Sequence, residues 1–432
     1  MNNPFHFNHK TVDEWPDVWE AGNGLISLTI VPAIGGRILQ FGLPEQHLFW
    51  NNQQLQGRYF PYADRLGNGS QADWKNYGGE KVWVAPQGRH DDLAWPGPPD
   101  PVLDSGHYRL RLINRLEREM RIGLSSPADE EKTGLRIDKE IRLQPNCSQV
   151  QLAFSFHNIV EWPVEWSIWE NIQLNCESNQ TDWNHRIVVT MPINPASRFN
   201  EGFTVLYGRR DRSQWRPDMV RRLLSVHYQN RVGKIGMDGR TGWAAYYNGE
   251  SGDTFVVAYD EPFAGSAIFP DNGCSCECWT NGLGMVDGVD WGKNGYHYLE
   301  TEVLGPMQKI LPGKRIDFTV KWAACRSAGP VLEVSAAGCV VQPLAVDEAS
   351  HSIIGSFGVF YRGFAFLLIE SAGKNDWTCL GPTSPKKPLA VNYQCDGLFM
   401  GNLAKMTLLI RDFSGNYRIL NQVERVNHNA EK

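Results

Sequence analysis

A chain of 432 residues can bury a large core and hold two or three domains, or one large β domain with a small companion. With 42% hydrophobic and 21% charged residues it is globular rather than disordered, and a formal net charge of -6 gives no general attraction to nucleic acid or an anionic membrane. A sugar, a peptide or a small metabolite is the expected ligand class.

The opening stretch, MNNPFHFNHKTVDEWPDVWEAGNG, is polar and lacks the basic start and apolar core of a secretory signal, and no segment approaches the apolar run of roughly 20 residues that spans a bilayer. A cytoplasmic location is expected. Nine cysteines, an odd number spread along the chain, fit free thiols in a reducing compartment. GLISLTIVP, GGRILQFG, HYRLRLINRL, LRIDKEIRL, SQVQLAFSFHN, HRIVVTMPI, DTFVVAYD, RIDFTVKWAA and MTLLIRDF then follow one another as short alternating runs. They are rich in β-branched or aromatic residues and bounded by Gly, Pro, Asn or Asp. They predict an antiparallel all-β protein. The intervals 50–105 and 195–230 read as loops projecting from the sheets, and RPDMVRRLLSVHYQ in the second carries the clearest helical pattern. After IDFTVKWAAC, the stretch RSAGP reads as a linker. It divides the chain into residues 1–326 and a small β-sandwich over 329–432, the alternative being that the last strands complete the main sheets.

No dinucleotide-binding glycine fingerprint, P-loop, nucleophile elbow or zinc-protease helix is present, so no cofactor and no serine-hydrolase chemistry are expected. In CSCEC, residues 274–278, the outer cysteines of an extended strand lie roughly 13 Å apart, too far to share one ion, and three packed small side chains are the better reading. Sixteen tryptophans are more telling. Trp162, Trp166 and Trp169 crowd into NIVEWPVEWSIWENIQL, while Trp74 and Trp83 bracket WKNYGGEKVW. Clustered indoles beside acids and amides suit pyranose stacking, with core filling the alternative and the favoured one for Trp162. Seven arginines between Arg209 and Arg231 either hold an anionic sugar or face solvent, balanced by nearby acids. In YLETEV, Glu300 and Glu302 share one strand face with Cα atoms about 6.6 Å apart. They reach a ligand from one side, unlike a glycosidase pair, which flanks the scissile bond. A solvated strand face is the plain alternative.

Four stretches in order, IGGRILQF, NYGGEKVWVAP, FHNIVEWPVEWSIWENIQL and YLETEVLGPMQKILPGKRIDFTVKW, resemble landmarks of the galactose mutarotase-like superfamily over roughly residues 20 to 326. The resemblance implies an antiparallel β-supersandwich of two large sheets with a sugar-binding groove on a concave face. Its implied activity is isomerisation of the aldose 1-epimerase kind. A non-catalytic glycan-binding protein, or a carbohydrate lyase or glycoside hydrolase on the same scaffold, is the alternative. In aldose 1-epimerases a Leu-Glu pair ahead of a Pro-Gly turn supplies the catalytic base, and Leu299-Glu300 before LPGKRIDF matches it. The family acid is a histidine. Here Asn158 and Pro163 are in place, but the stretch that follows reads Ile168, Trp169, Glu170, Asn171. Glu170, made a stronger proton holder by burial, is the expected substitute, with His107, His157 and His185 as other donors. The groove is expected to draw on Arg37, Glu80, Lys81, Trp83, His107, Trp169, Asp271 and Glu302. Glu80 and Lys81 point to opposite faces of a regular strand, so at most one enters it. The expected partner is a carbohydrate ligand, with no nucleic acid and no membrane.

Overall fold

Period-two patterning becomes strand almost throughout the computed structural model, which describes residues 3–60, 74–88, 101–239, 241–260, 267–286, 288–371, 374–395 and 403–424. Among the described residues eleven strands form one antiparallel sheet and ten form another. Six strands of the first sheet position the site: β1 (Arg37–Gly42), β2 (Glu80–Ala85), β3 (Val164–Asn175), β4 (Gly233–Met237), β5 (Cys276–Thr280) and β6 (Tyr298–Leu304). They lie side by side in the order β1-β2-β3-β6-β5-β4. The second sheet stacks against one face of the first. Ile168, Ile172 and Leu174 of β3 and Leu299 and Val303 of β6 share a core with Leu152, Phe154, Phe156, Val320 and Trp322 of the facing sheet. Burying each such side chain is worth about 2 kcal/mol, which fixes which face of every strand points inward.

The strand Gln149–Asn158 shows the usual outcome, alternating strictly between half-buried and buried positions. β6 does not. All seven of its residues are buried, including Glu300, Thr301 and Glu302, so a solvated strand face is not what those glutamates form.

The helix expected over residues 216–229 is instead two antiparallel strands, Trp215–Asp218 and Leu223–His227. Pro217 cannot donate to a helical ladder, while Leu224 and Val226 are buried two apart as that hairpin pairs with the strand Ile187–Pro192. Among the described residues no helix is long and apolar enough to cross a membrane.

Among the described residues, strands beyond residue 332 form two four-stranded sheets of their own. Val340, Leu344 and Phe357 of one face Leu367, Leu408 and Ile410 of the other, and the same cluster takes in Ala245, Val256, Ala323 and Cys325 of the ten-stranded sheet. The C-terminal sheets therefore lean on the outer face of that sheet.

Candidate active site

Register decides the chemistry of the first sheet's other face. Gln173 of β3 pairs with Glu300 of β6, which pairs with Trp279 of β5, which pairs with Lys234 of β4. One step along, Lys81 of β2, Asn171, Glu302 and Glu277 form the next row. Trp83 and Trp169 begin the third. Residues opposite one another in a ladder share a face, so these three rows make one continuous polar and aromatic floor.

Two ion-paired clusters organise it. In the first, the Glu300 carboxylate accepts from Gln173 Nε2 at 2.7 Å and Lys81 Nζ at 3.3 Å through Oε1, and from Asn171 Nδ2 at 3.1 Å through Oε2. Lys81 also donates to Asn171 Oδ1 at 2.8 Å and stands 4.7 Å from the centre of the Trp83 ring and 5.3 Å from that of Trp74. Burial pushes the Lys81 amine below the usual lysine range, against the pull of Glu300. In the second cluster, Lys234 Nζ lies 2.5 Å from Glu277 and 2.9 Å from Glu302, over the Trp169 ring. Trp169 Nε1 donates to the same Glu302 oxygen at 2.8 Å. Burial works against the charge on Lys234, but Glu277, Glu302 and Asp271 outweigh it and hold the amine well above its usual range. Two carboxyls facing one ammonium leave a negative charge uncompensated. Burial accordingly raises both Glu277 and Glu302, and Glu302 Oε1 has no hydrogen-bond partner among the described residues.

The aromatic wall is anchored by Asp104. Its Oδ1 accepts from Arg37 at 2.6 Å and from Trp83 Nε1 at 3.0 Å, and its Oδ2 from Trp74 Nε1 at 3.1 Å. Trp74, Trp83 and Trp169 then run edge to face, with centroids 5.6 and 5.3 Å apart. Arg37 is wholly buried in this arrangement and also donates to the Gly78 carbonyl, so it supports the wall from behind.

Of the residues expected from sequence, Glu300, Glu302, Lys81, Trp83 and Trp169 thus meet on the floor, and Asp271 lies near enough for its charge to act on Lys234. Glu170 does not join them. It pairs with Val82 and Val303 on the inward face, where its Oε1 accepts from Trp322 Nε1 at 3.0 Å. Glu80 is inward too, 2.6 Å from Lys139 of the facing sheet. Strand parity puts a whole sheet between Glu170 and any ligand touching Glu300, so the pairing of these two as acid and base, or as hydrolytic carboxyls, has no geometric basis. His107 is exposed near Asp17, His157 pairs with Asp138 on the second sheet, and His185 packs near Trp183. Trp162 is 58% exposed in a turn, not core. Cys274, Cys276 and Cys278 are buried free thiols. Among the described residues no cluster of His, Cys, Asp and Glu could hold a metal.

Asn171, Gln173, Lys234, Glu277 and Asp104 were not singled out by sequence. Glu277 was legible in principle, since CSCEC alternates and sends its glutamate opposite to its cysteines. The arginine-rich stretch resolves into local pairs, Arg210 and Arg212 with Glu201, Arg221 with Asp218 and Arg231 with Asp211. Replacing Arg221 and Arg222 by Ala is therefore expected to weaken glucuronate binding no more than glucose binding in calorimetric titrations.

Glu170 yields a second expectation. Burial, reinforced by Glu80, raises its carboxyl well above its ordinary value of 4.5, so the folded state keeps a proton that the unfolded state releases. The stability this contributes is complete below pH 4.5 and is lost as pH rises through the raised folded value. Glu170→Gln, a permanent stand-in for the protonated acid, should remove that loss in thermal melts taken from pH 4.5 upward while leaving ligand binding unchanged. A melt profile parallel to wild type would show that Glu170 is not protonated.

A family model described as a domain of unknown function, DUF4380, matches residues 19–325. No curated protein matches the chain. Solved structures are similar at low identity. A TPR-domain containing protein from Parabacteroides distasonis is 13% identical over 71% of this chain, with a TM-score of 0.45, and the chain spans only 46% of that protein. A candidate aldose 1-epimerase from Klebsiella pneumoniae is 11% identical over 72% of this chain and 80% of its own, with a TM-score of 0.49. A galactose mutarotase related enzyme from Lactobacillus acidophilus is 10% identical over 71% and 97%, with a TM-score of 0.43.

Proposed function

Since the chain belongs to the DUF4380 family, whose description names no chemistry, we propose its function from the floor itself: acid-base isomerisation of a sugar at its anomeric carbon, with Glu300 as base and Lys81 as acid. The observation that carries this reading is the 3.3 Å separation of Glu300 Oε1 and Lys81 Nζ on one face of the sheet. The C1 hydroxyl and the ring oxygen of a pyranose hang from one carbon, so a base and an acid this close can address both. Glu300 takes the C1 hydroxyl proton, the electron pair of that O–H bond forms the carbonyl, and the C1–ring oxygen bond breaks with its pair going to oxygen. Lys81 supplies the proton that the ring oxygen then needs. Rotation about C1–C2 and the reverse transfers close the ring as the other anomer.

Each group is suited to its part. The three donors on Glu300 hold its carboxyl in place and still leave its Oε2 room for one more hydrogen bond. Burial lowers Lys81 toward the range in which an amine releases and regains a proton easily. The lysine thus replaces the histidine absent from the mid-chain strand. Magnetization-transfer NMR over a panel of aldoses tests the reading, with anomer exchange above the spontaneous rate expected for at least one. A sugar that binds without exchanging would instead support glycan binding alone. The specific feature favouring that second reading is that Glu300 and Lys81 already neutralise one another.

A further inference from the structure

Beside the Glu300 and Lys81 pair lies a cavity of about 560 Å³ whose lining includes Trp74, Asn76, Asn281, Trp291, Asn294 and Tyr298. It adjoins the floor through two residues. Tyr298 sits two positions before Glu300 on the same face of β6, and Trp74 carries Lys81 Nζ 5.3 Å from its ring centre. Three polar atoms of the lining residues are buried without a hydrogen-bond partner among the described residues: Asn76 Oδ1, Asn281 Oδ1 and Trp291 Nε1. Asn281 is 1% exposed and Asn76 8%, so bulk water does not satisfy them. Their remaining groups are fixed, Asn76 Nδ2 on the Tyr298 hydroxyl at 3.2 Å and Asn281 Nδ2 on the Tyr296 carbonyl at 2.7 Å. Buried polar atoms in native proteins nearly always have partners, so a preformed cavity whose lining residues carry two unused acceptors and one unused donor calls for a ligand that brings both kinds of group. A hydroxyl is both donor and acceptor, and a polyol supplies several. An apolar occupant would leave all three atoms unsatisfied. The size falls within the roughly 300–1,000 Å³ of small-molecule sites and far exceeds the ~30 Å³ share of one water.

We propose that this cavity is a second saccharide subsite, and that the ligand class is a reducing disaccharide or longer oligosaccharide whose terminal ring lies at Glu300 while the next ring occupies the cavity. The inference rests on the proposed sugar chemistry at Glu300. Indole and phenol faces from Trp74, Trp291 and Tyr298 would stack on the second ring, and the asparagines would take its hydroxyls.

Isothermal titration of the full chain compares glucose with maltose, cellobiose and lactose, and galactose with galactobiose. At least one disaccharide is expected to bind about tenfold or more tightly than its reducing monosaccharide. Trp291→Ala should collapse that ratio toward one, and Asn294→Ala, an exposed position that folding tolerates, should reduce it several-fold. Equal affinity for one ring and two in wild type overturns the subsite while leaving the Glu300 reading standing. So does a ratio that both variants preserve. Failure of every sugar to bind overturns both.

Discussion

Glu300→Gln is expected to lower catalysed anomer exchange by about 10²–10⁴-fold, the usual contribution of a general base, while sugar binding persists. Gln keeps the size and one acceptor but has almost no proton affinity. Its oxygen can still take the hydrogen bonds of Gln173 and Lys81, whereas its amide nitrogen would meet the Asn171 donor that now serves Oε2. Asn171 cannot simply turn over, because its own oxygen accepts from Lys81 at 2.8 Å. One unsatisfied donor pair, costing about 1–3 kcal/mol, is therefore also expected, so melts must accompany the kinetics. Glu302→Gln is the control on the same strand face. Its carboxyl serves Trp169 and Lys234, so its loss should register in stability more than in rate. Exchange by Glu300→Gln at the wild-type rate would remove Glu300 from the chemistry.

Sequence reading reached the all-β class and several floor residues because both depend on local pattern. Alternation is visible within one strand, and it alone puts Glu300 and Glu302 together. The failures concern relations between strands. Whether Glu170 or Asn171 faces Glu300 depends on the register between β3 and β6, set by contacts such as that of Gln173 with Glu300, 127 residues apart. A shift of one residue would exchange the two faces, and nothing in WSIWENIQL states which applies. The usual guide, that polar residues mark the outer face, also fails here. Glu80, Glu170 and Lys139 form a buried polar group on the inward face, so both faces of β2 and β3 carry charged or amide side chains. Lys234 and Glu277 escaped notice for the same reason. Alternation in CSCEC shows only that Glu277 lies opposite its cysteines, and neither residue acquires a role until β4 and β5 are laid beside β6. Asp104 lies outside the regular strands, where no period applies at all.

Lys81→Met should abolish most catalysed exchange, since it keeps most of the length of the side chain and removes the ammonium group that is the proposed acid. The pH dependence separates this role from mere support. An acid must be protonated, so wild-type exchange should fall as pH rises through the lowered Lys81 value, below the ordinary lysine value of 10.5. In that same window the unfolded chain binds a proton that the folded chain has released, so the Lys81 contribution to stability rises with pH while activity falls. A stability effect alone would move rate and melting temperature in the same direction. Lys81→Arg sharpens the test, because a guanidinium stays charged and can still pair with Glu300, yet does not give up its proton. It should retain the fold and lose exchange. Lys81→Met by itself leaves a nearly buried Glu300 carboxylate without its counter-ion, and breaking such a pair typically costs about 3–5 kcal/mol, so part of its loss could reflect unfolding. The double variant Lys81→Met with Glu300→Gln removes both charges and should recover much of that stability while remaining inactive. Measurable exchange in the recovered double variant would show that neither residue carries the proton transfers, and the floor would then be a surface for holding sugars.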